Sequence, residues 1–248
     1  MSDLQDDDSW IARLFAWADA HNLPPYEWLD DETDENEGGF WVGFPRDRAT
    51  LLSFTCLNLS WHDLTELPEE LANLTQLTEL SMAKTCCGMQ PDWEPKTDNK
   101  IQAIPAWISR LHNLRVLDFS RNAINEIPSN IGQLQQLEVL WMCSNNISYI
   151  PESIFELKRL KRLCFSFNQI EVIPPGLSKL TQLQYLGFQS NRLLCVPQEI
   201  VELECLSIVD LNKNSFSSFP VQVFKLKALE QFDMVEIMFN LLGRDVVH

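Results

Sequence analysis

Seven cysteines and four histidines are the side chains through which this 248-residue chain could do covalent or metal chemistry. Their spacing favours neither. The histidines, His21, His62, His112 and His248, lie far apart, and none belongs to a His-Glu-x-x-His helix. The cysteines, Cys56, Cys86, Cys87, Cys143, Cys164, Cys195 and Cys205, are odd in number and scattered, unlike the paired framework of a disulfide-stapled extracellular domain. Cys86-Cys87 lacks the further ligands that a four-coordinate zinc site needs, so no metal is expected. A nucleophilic Cys143 or Cys164 would need a neighbouring base to become a thiolate, and no histidine falls where it could serve. There is also no Gly-x-Ser-x-Gly turn and no phosphate loop. A thiol-dependent enzyme is the rival reading of another class, and the sequence supplies it with no base; no catalytic residue and no cofactor are implied.

Charge narrows the partners. The chain carries a formal net charge of −16, and residues 1–50 hold thirteen acidic side chains against Arg13, Arg46 and Arg48. Nucleic acid and anionic membrane surfaces both demand a positive footprint, so neither is expected as a partner. A partner steered by charge should be neutral or basic. No run of about 18 apolar residues occurs, which argues against a membrane span. Met1 to Asp8 is acidic and does not lead into an apolar segment as a secretory signal would. A cytoplasmic protein is expected, with export by another route as the alternative.

The elements that position these side chains are set by a period. Pro105, Pro128, Pro151, Pro174, Pro197 and Pro220 are each 23 residues apart. Each opens the frame Ile/Leu-Pro-x-x-Ile/Leu-x-x-Leu-x-x-Leu-x-x-Leu-x-Leu-x-x-Asn-x-Ile. The frame is almost unbroken in Ile127, Pro128, Ile131, Leu134, Leu137, Leu140, Met142, Asn145 and Ile147, and again from Ile150 to Ile170. In Leu-x-Leu the alternation puts both apolar side chains on one face of a short strand. One such unit cannot bury its apolar face alone, whereas stacked units share a continuous core. Asn122, Asn145, Asn168, Asn191 and Asn214 fall where each strand must turn inward, and an amide there can pair with backbone groups left without partners.

This pattern resembles the leucine-rich repeat family over roughly Phe54 to Phe232. The resemblance implies an α/β fold: a right-handed solenoid with a parallel concave β-sheet of about eight strands, and non-catalytic protein recognition rather than enzymology. The Leu-Pro-x-x-Ile form is similar to cytoplasmic bacterial members, including translocated effectors that bind a host regulator, and to intracellular eukaryotic scaffolds. The chain ends about where the array does, so no added catalytic domain is expected.

Three regions follow. Residues 1–53 form an acidic, tryptophan-rich cap holding Trp10, Trp17, Trp28 and Trp41. Its helix is expected over Ser9 to Asn22 with Ser9 as N-cap, then a solvated acidic loop from Asp30 to Glu37, then a short helix within Pro45 to Leu52. Residues 54–234 form the array, and residues 235–248 a C-terminal cap. Repeats begin near Phe54, Leu77, Leu114, Leu137, Leu160, Leu183, Leu206 and Leu229, with His62 and Thr85 at the asparagine place of the first two units. The second unit is 14 residues longer than the rest, an insertion placed at Cys87 to Lys100. Its Met89 and Trp93 make it a candidate contact arm.

Side chains between the strand leucines face outward. The central outward row is Asn58, Ser81, Asp118, Trp141, Cys164, Gly187, Asp210 and Asp233, with Trp61, Arg121, Cys143, Arg162, Phe167 and Tyr185 around it. Trp61, Asp118, Arg121, Trp141, Arg162, Cys164, Phe167, Tyr185 and Asp210 are therefore the candidate partner contacts, since exposed aromatics and arginine on a concave surface have the composition of an interface. Self-association through the same patch is the competing expectation. Asp210 and Asp233 should be lateral neighbours with Glu230 and Glu236 nearby, their repulsion relieved by Lys213 or, as the alternative, by a basic ligand.

Overall fold

The computed structural model describes residues 8–29, 40–83 and 98–233. Met89, Trp93, the Asp30 to Glu37 run and the C-terminal cap at 235–248 lie outside the described residues.

Leucine alternation produces the strands as expected. Eight three-residue strands form one parallel sheet in chain order: β3 (Cys56–Asn58), β4 (Glu79–Ser81), β5 (Val116–Asp118), β6 (Val139–Trp141), β7 (Arg162–Cys164), β8 (Tyr185–Gly187), β9 (Ile208–Asp210) and β10 (Gln231–Asp233). The central residue of each points into the core, and Leu57, Leu80, Leu117, Leu140, Leu163, Leu186 and Val209 are all buried. Each buried leucine contributes about 1.5–3 kcal/mol against its exposed state. The register is unslipped from end to end, Leu80 beside Leu117, Leu140, Leu163 and Leu186 in turn. The prolines open the opposite layer: Pro68, Pro105, Pro128, Pro151, Pro174, Pro197 and Pro220 each precede a five-residue 3-10 turn. The convex layer is thus built of 3-10 turns, whose narrow section suits a 23-residue unit better than a full α-helix would.

Asparagine amides close each coil. Asn145 Oδ1 accepts the Ile124 N–H at 3.0 Å, while its Nδ2 donates to the carbonyls of Phe119 (3.0 Å), Met142 (3.2 Å) and Cys143 (3.2 Å). Asn168, Asn191 and Asn214 repeat this pattern one unit later each time. The residue before the ladder position takes a left-handed backbone in Trp61, Arg121, Ser144, Phe167, Ser190 and Lys213. That strain, about 1–2 kcal/mol for a non-glycine residue, is offset by the amide bonds beside it.

The second unit corrects the sequence register. Asn99, not Thr85, fills its ladder place: Asn99 Oδ1 accepts from Leu64 N at 2.9 Å and His62 N at 3.2 Å, and Nδ2 donates to Leu59 O at 2.8 Å and Met82 O at 3.1 Å. A threonine hydroxyl has one donor and cannot reproduce this set. Lys100 N donates to Leu64 O at 2.6 Å, so residues 98–100 belong to the repeat. The 14-residue excess therefore falls before Asp98, rather than at 87–100.

The N-terminal cap is held by specific contacts. Helix α1 (Ser9–Ala20) buries Ile11, Leu14 and Ala18, with Trp10, Phe15 and Trp17 packed partly against the core. Asp8 occupies the N-cap, where Ser9 was expected, yet makes no side-chain cap; its carboxylate binds Arg48 Nε at 2.8 Å instead. An antiparallel pair that the sequence reading did not anticipate, β1 (Glu27–Leu29) with β2 (Phe40–Val42), follows α1. Helix α2 (Arg48–Ser53) is capped by Asp47, whose Oδ1 accepts from Thr50 N at 2.9 Å. Tyr26 joins cap to sheet, donating to Cys56 O at 3.1 Å, and burial pushes its hydroxyl pKa up to about 12.

Candidate protein-binding face

Period-two alternation turns the first and third residue of every strand away from the core, and the parallel register stacks them into two rows about 4.8 Å apart from strand to strand. One row runs Val116, Val139, Arg162, Tyr185, Ile208; the other runs Asp118, Trp141, Cys164, Gly187, Asp210. The rims of the face are the turns before the ladder asparagines.

At the centre, Trp141 and Tyr185 meet edge to face, with ring centroids 5.5 Å apart and planes at 77°. They come from strands separated by β7, so the contact spans two strand intervals. Gly187 makes this possible: a Cβ there would lie 2.7 Å from Cys164 Sγ and 2.9 Å from Tyr185 Oη. The tyrosine leans across the glycine gap toward the indole. Arg162 lies exposed between Val139 and Tyr185, and its guanidinium has no hydrogen bond or ion pair among the described residues. Phe167 stands at the rim of the same repeat, 43% exposed on a left-handed backbone. Trp141 and Tyr185 touch and Arg162 is the strand neighbour of Tyr185, whereas Phe167 stands on the rim with no ring contact to either among the described residues.

Other candidates are placed differently. Cys164 is fully buried with its Sγ 3.3 Å from Ser166 Oγ, so it is not a partner contact; the tyrosine above it and the adjacent strands exclude solvent. Asp118 is also buried, and its Oδ1 accepts the Ser120 N–H at 2.8 Å, a turn-capping role that removes it from the surface. Arg121 forms a paired ion contact with Asp98, at 2.8 and 3.0 Å, which anchors the end of the insertion to the rim. Trp61 sits on the rim of the first repeat, three strands from Trp141, outside the central group. Asp210 is half-buried, caps Asn212 N at 3.1 Å and lies beside Asp233 as expected. Asp233 accepts a hydrogen bond from the Gln231 amide at 2.7 Å, and Lys213, one of the two expected sources of relief, makes no ion pair among the described residues.

Sequence reasoning missed the edge row before the strands, where Arg115, Glu138 and Lys161 are 23 residues apart. Lys161 Nζ binds Glu138 Oε2 at 2.6 Å, and this bond, with the nearby charges of Lys161, Arg115 and Arg159, holds the Glu138 carboxyl below its usual range. Among the described residues no three His, Cys, Asp or Glu side chains could hold a metal ion, and no helix is long and apolar enough to cross a membrane.

Known proteins share this architecture. Residues 98–184 match the family described as leucine-rich repeat region. No curated protein matches the sequence. A solved leucine-rich repeat protein of Leptospira interrogans is 28% identical with a TM-score of 0.64, over 78% of this chain and 48% of that one. A TDR receptor is 25% identical with a TM-score of 0.63, over 74% of this chain and 30% of that one. The plant peptide hormone receptor RGFR1 in complex with RGF2 is 25% identical with a TM-score of 0.57, over 84% and 37% of the two chains. This chain thus spans about half or less of the length of these structures. Repeat register, asparagine ladder, parallel sheet and matched region agree: the chain folds as a leucine-rich repeat solenoid, with the family's own model matching residues 98–184.

Proposed function

We propose that the protein is a non-catalytic interaction scaffold that takes a protein partner on its concave face, around Trp141, Arg162, Phe167 and Tyr185. The observation that carries this reading is the Trp141–Tyr185 pair, held across three strands and left half-open to solvent. An indole and a phenol fixed by a rigid sheet lose little entropy on binding and bury large area, the property of an interface anchor. The plant peptide hormone receptor similar to this chain was solved in complex with RGF2, which supports recognition as a use of this fold. A thiol enzyme finds less support, because Cys143 and Cys164 are both buried. Five free cysteines among the described residues suit a reducing compartment such as the cytoplasm.

The test is affinity capture from lysates with wild type and a Trp141→Ala, Arg162→Ala double variant, folding checked by circular dichroism. A protein retained by wild type and lost by the folded variant supports the reading. Equal capture by both removes the central patch from it.

A further inference from the structure

The chain is strongly acidic, yet the edge of the sheet beside the aromatic pair is not. Four cations, Arg115, Arg159, Lys161 and Arg162, gather there, three of them within five residues of sequence. They come together because the 23-residue register makes Arg115, Glu138 and Lys161 lateral neighbours; the backbone N–H of Glu138 donates to Arg115 O and that of Lys161 to Glu138 O, both at 2.8 Å. Arg159 reaches the Gln136 amide oxygen in the preceding repeat. Glu138 is the one carboxylate in this stretch of the edge row, and Lys161 already binds it. Glu230, the next acid along that row, is three strands beyond Lys161, about 14 Å away and past the Debye length of about 8 Å at physiological salt. Arg115 and Arg162 carry no hydrogen bond or ion pair on their guanidinium groups among the described residues.

We infer that the concave face of this acidic protein recognises an acidic peptide segment of its partner, whose carboxylates meet Arg162 and Arg115 while an apolar side chain of the same segment packs on Trp141 and Tyr185. This deepens the scaffold reading and rests on it. It reverses the expectation from net charge: the whole-chain charge describes the cap and the far repeats, whereas a contact reads the charge within a few ångströms. An unpaired guanidinium presents a planar fork that matches a carboxylate. From the edge row to the Trp141 row is about three residues along the strand, roughly 10 Å. An extended peptide lying along the strands therefore carries its acid about three positions from its apolar anchor. Nucleic acid is disfavoured because the island is small and the remaining surface repels polyphosphate at long range.

The test uses phage-displayed random dodecapeptides selected on the full chain, with synthetic winners measured by fluorescence anisotropy. Expected are winners enriched in Asp or Glu near an aromatic or aliphatic residue, weakened about tenfold or more by Arg162→Gln with Arg115→Gln, and weakened again on raising salt from about 50 to 200 mM. Winners that need Trp141 but carry no acidic residues overturn this inference and leave the scaffold reading intact. Winners indifferent to both Trp141 and Arg162 overturn both. No enrichment, tighter binding of a single-stranded DNA of the same length, or dimerisation in sedimentation velocity that Arg162→Gln abolishes would each overturn the acidic-peptide assignment.

Discussion

Asn99 Oδ1 accepts the backbone N–H of Leu64 at 2.9 Å, the same bond that Asn145 makes to Ile124 at 3.0 Å. Two residues separated by an insertion in one case, and by none in the other, are thereby set into one ladder. The consequence is a sharp test of where the repeat resumes. Deleting 84–97 and deleting 87–100 both remove 14 residues and both restore the 23-residue spacing, but the first leaves Asn at the ladder place and the second leaves Thr85 there. Chemical denaturation should find the first deletion more stable by about 2 kcal/mol, the cost of leaving buried backbone groups unpaired. Equal stabilities would mean that Asn99 holds nothing.

Tyr26 predicts an alkaline transition. Its folded pKa, about 12, lies above the ordinary value of 10.0 because burial disfavours the phenolate, with Cys56 and Glu79 adding to the effect. The native state therefore holds this proton more tightly than the unfolded state does. Its contribution to stability is complete below about pH 10 and is lost as pH rises toward about 12. Phenolate absorbance should show a late step from Tyr26, and Tyr26→Phe should remove that step and flatten the stability loss in this window. A titration unchanged by the substitution would contradict the cap contact.

Thiol reactivity should rank by burial. Cys195 and Cys205 are exposed, Cys56 is half-buried with its thiol pushed up by burial and by Glu79, and Cys143 and Cys164 are buried. Alkylation followed by mass spectrometry should label the first two well before Cys56, and Cys143 and Cys164 last. Gly187→Ala should break that order, because the new methyl collides with Cys164 Sγ and Tyr185 Oη. We expect a loss of about 1–3 kcal/mol and faster labelling of Cys164 in this variant. Rapid labelling of Cys164 in wild type would mean that Tyr185 does not seal it.

The solenoid was legible in the sequence because its information is periodic: the Leu-x-Leu strands, the prolines before the outer turns and the asparagines of the ladder all recur at one interval. What periodicity could not supply was any choice between two residues with an equal claim on one place. Thr85 and Asn99 both satisfy the count across the second unit, and only the donors and acceptors left by Leu59, Leu64 and Met82 decide between them. Alternation likewise assigned Asp118 and Cys164 to the outer face correctly, but whether such a residue is exposed depends on where its neighbours lean. Tyr185 leans over Gly187, and Asp118 turns back to its own backbone. The basic island was hidden for another reason, since one of its four cations, Arg115, lies in the repeat two units before Lys161 and Arg162. Trp141, Arg162, Phe167 and Tyr185 were legible as outward-facing candidates because nothing in the core requires them.

Side-chain footprinting reports whether a partner occupies the concave face. Hydroxyl-radical labelling of the captured complex and of the free protein reports each aromatic separately. Trp141, Tyr185 and Phe167 should be strongly protected in the complex, with Tyr149 and Phe224, exposed elsewhere on the solenoid, labelled as before. Protection of Tyr149 or Phe224 with Trp141 and Tyr185 unchanged would place the partner on another surface and contradict binding on the concave face.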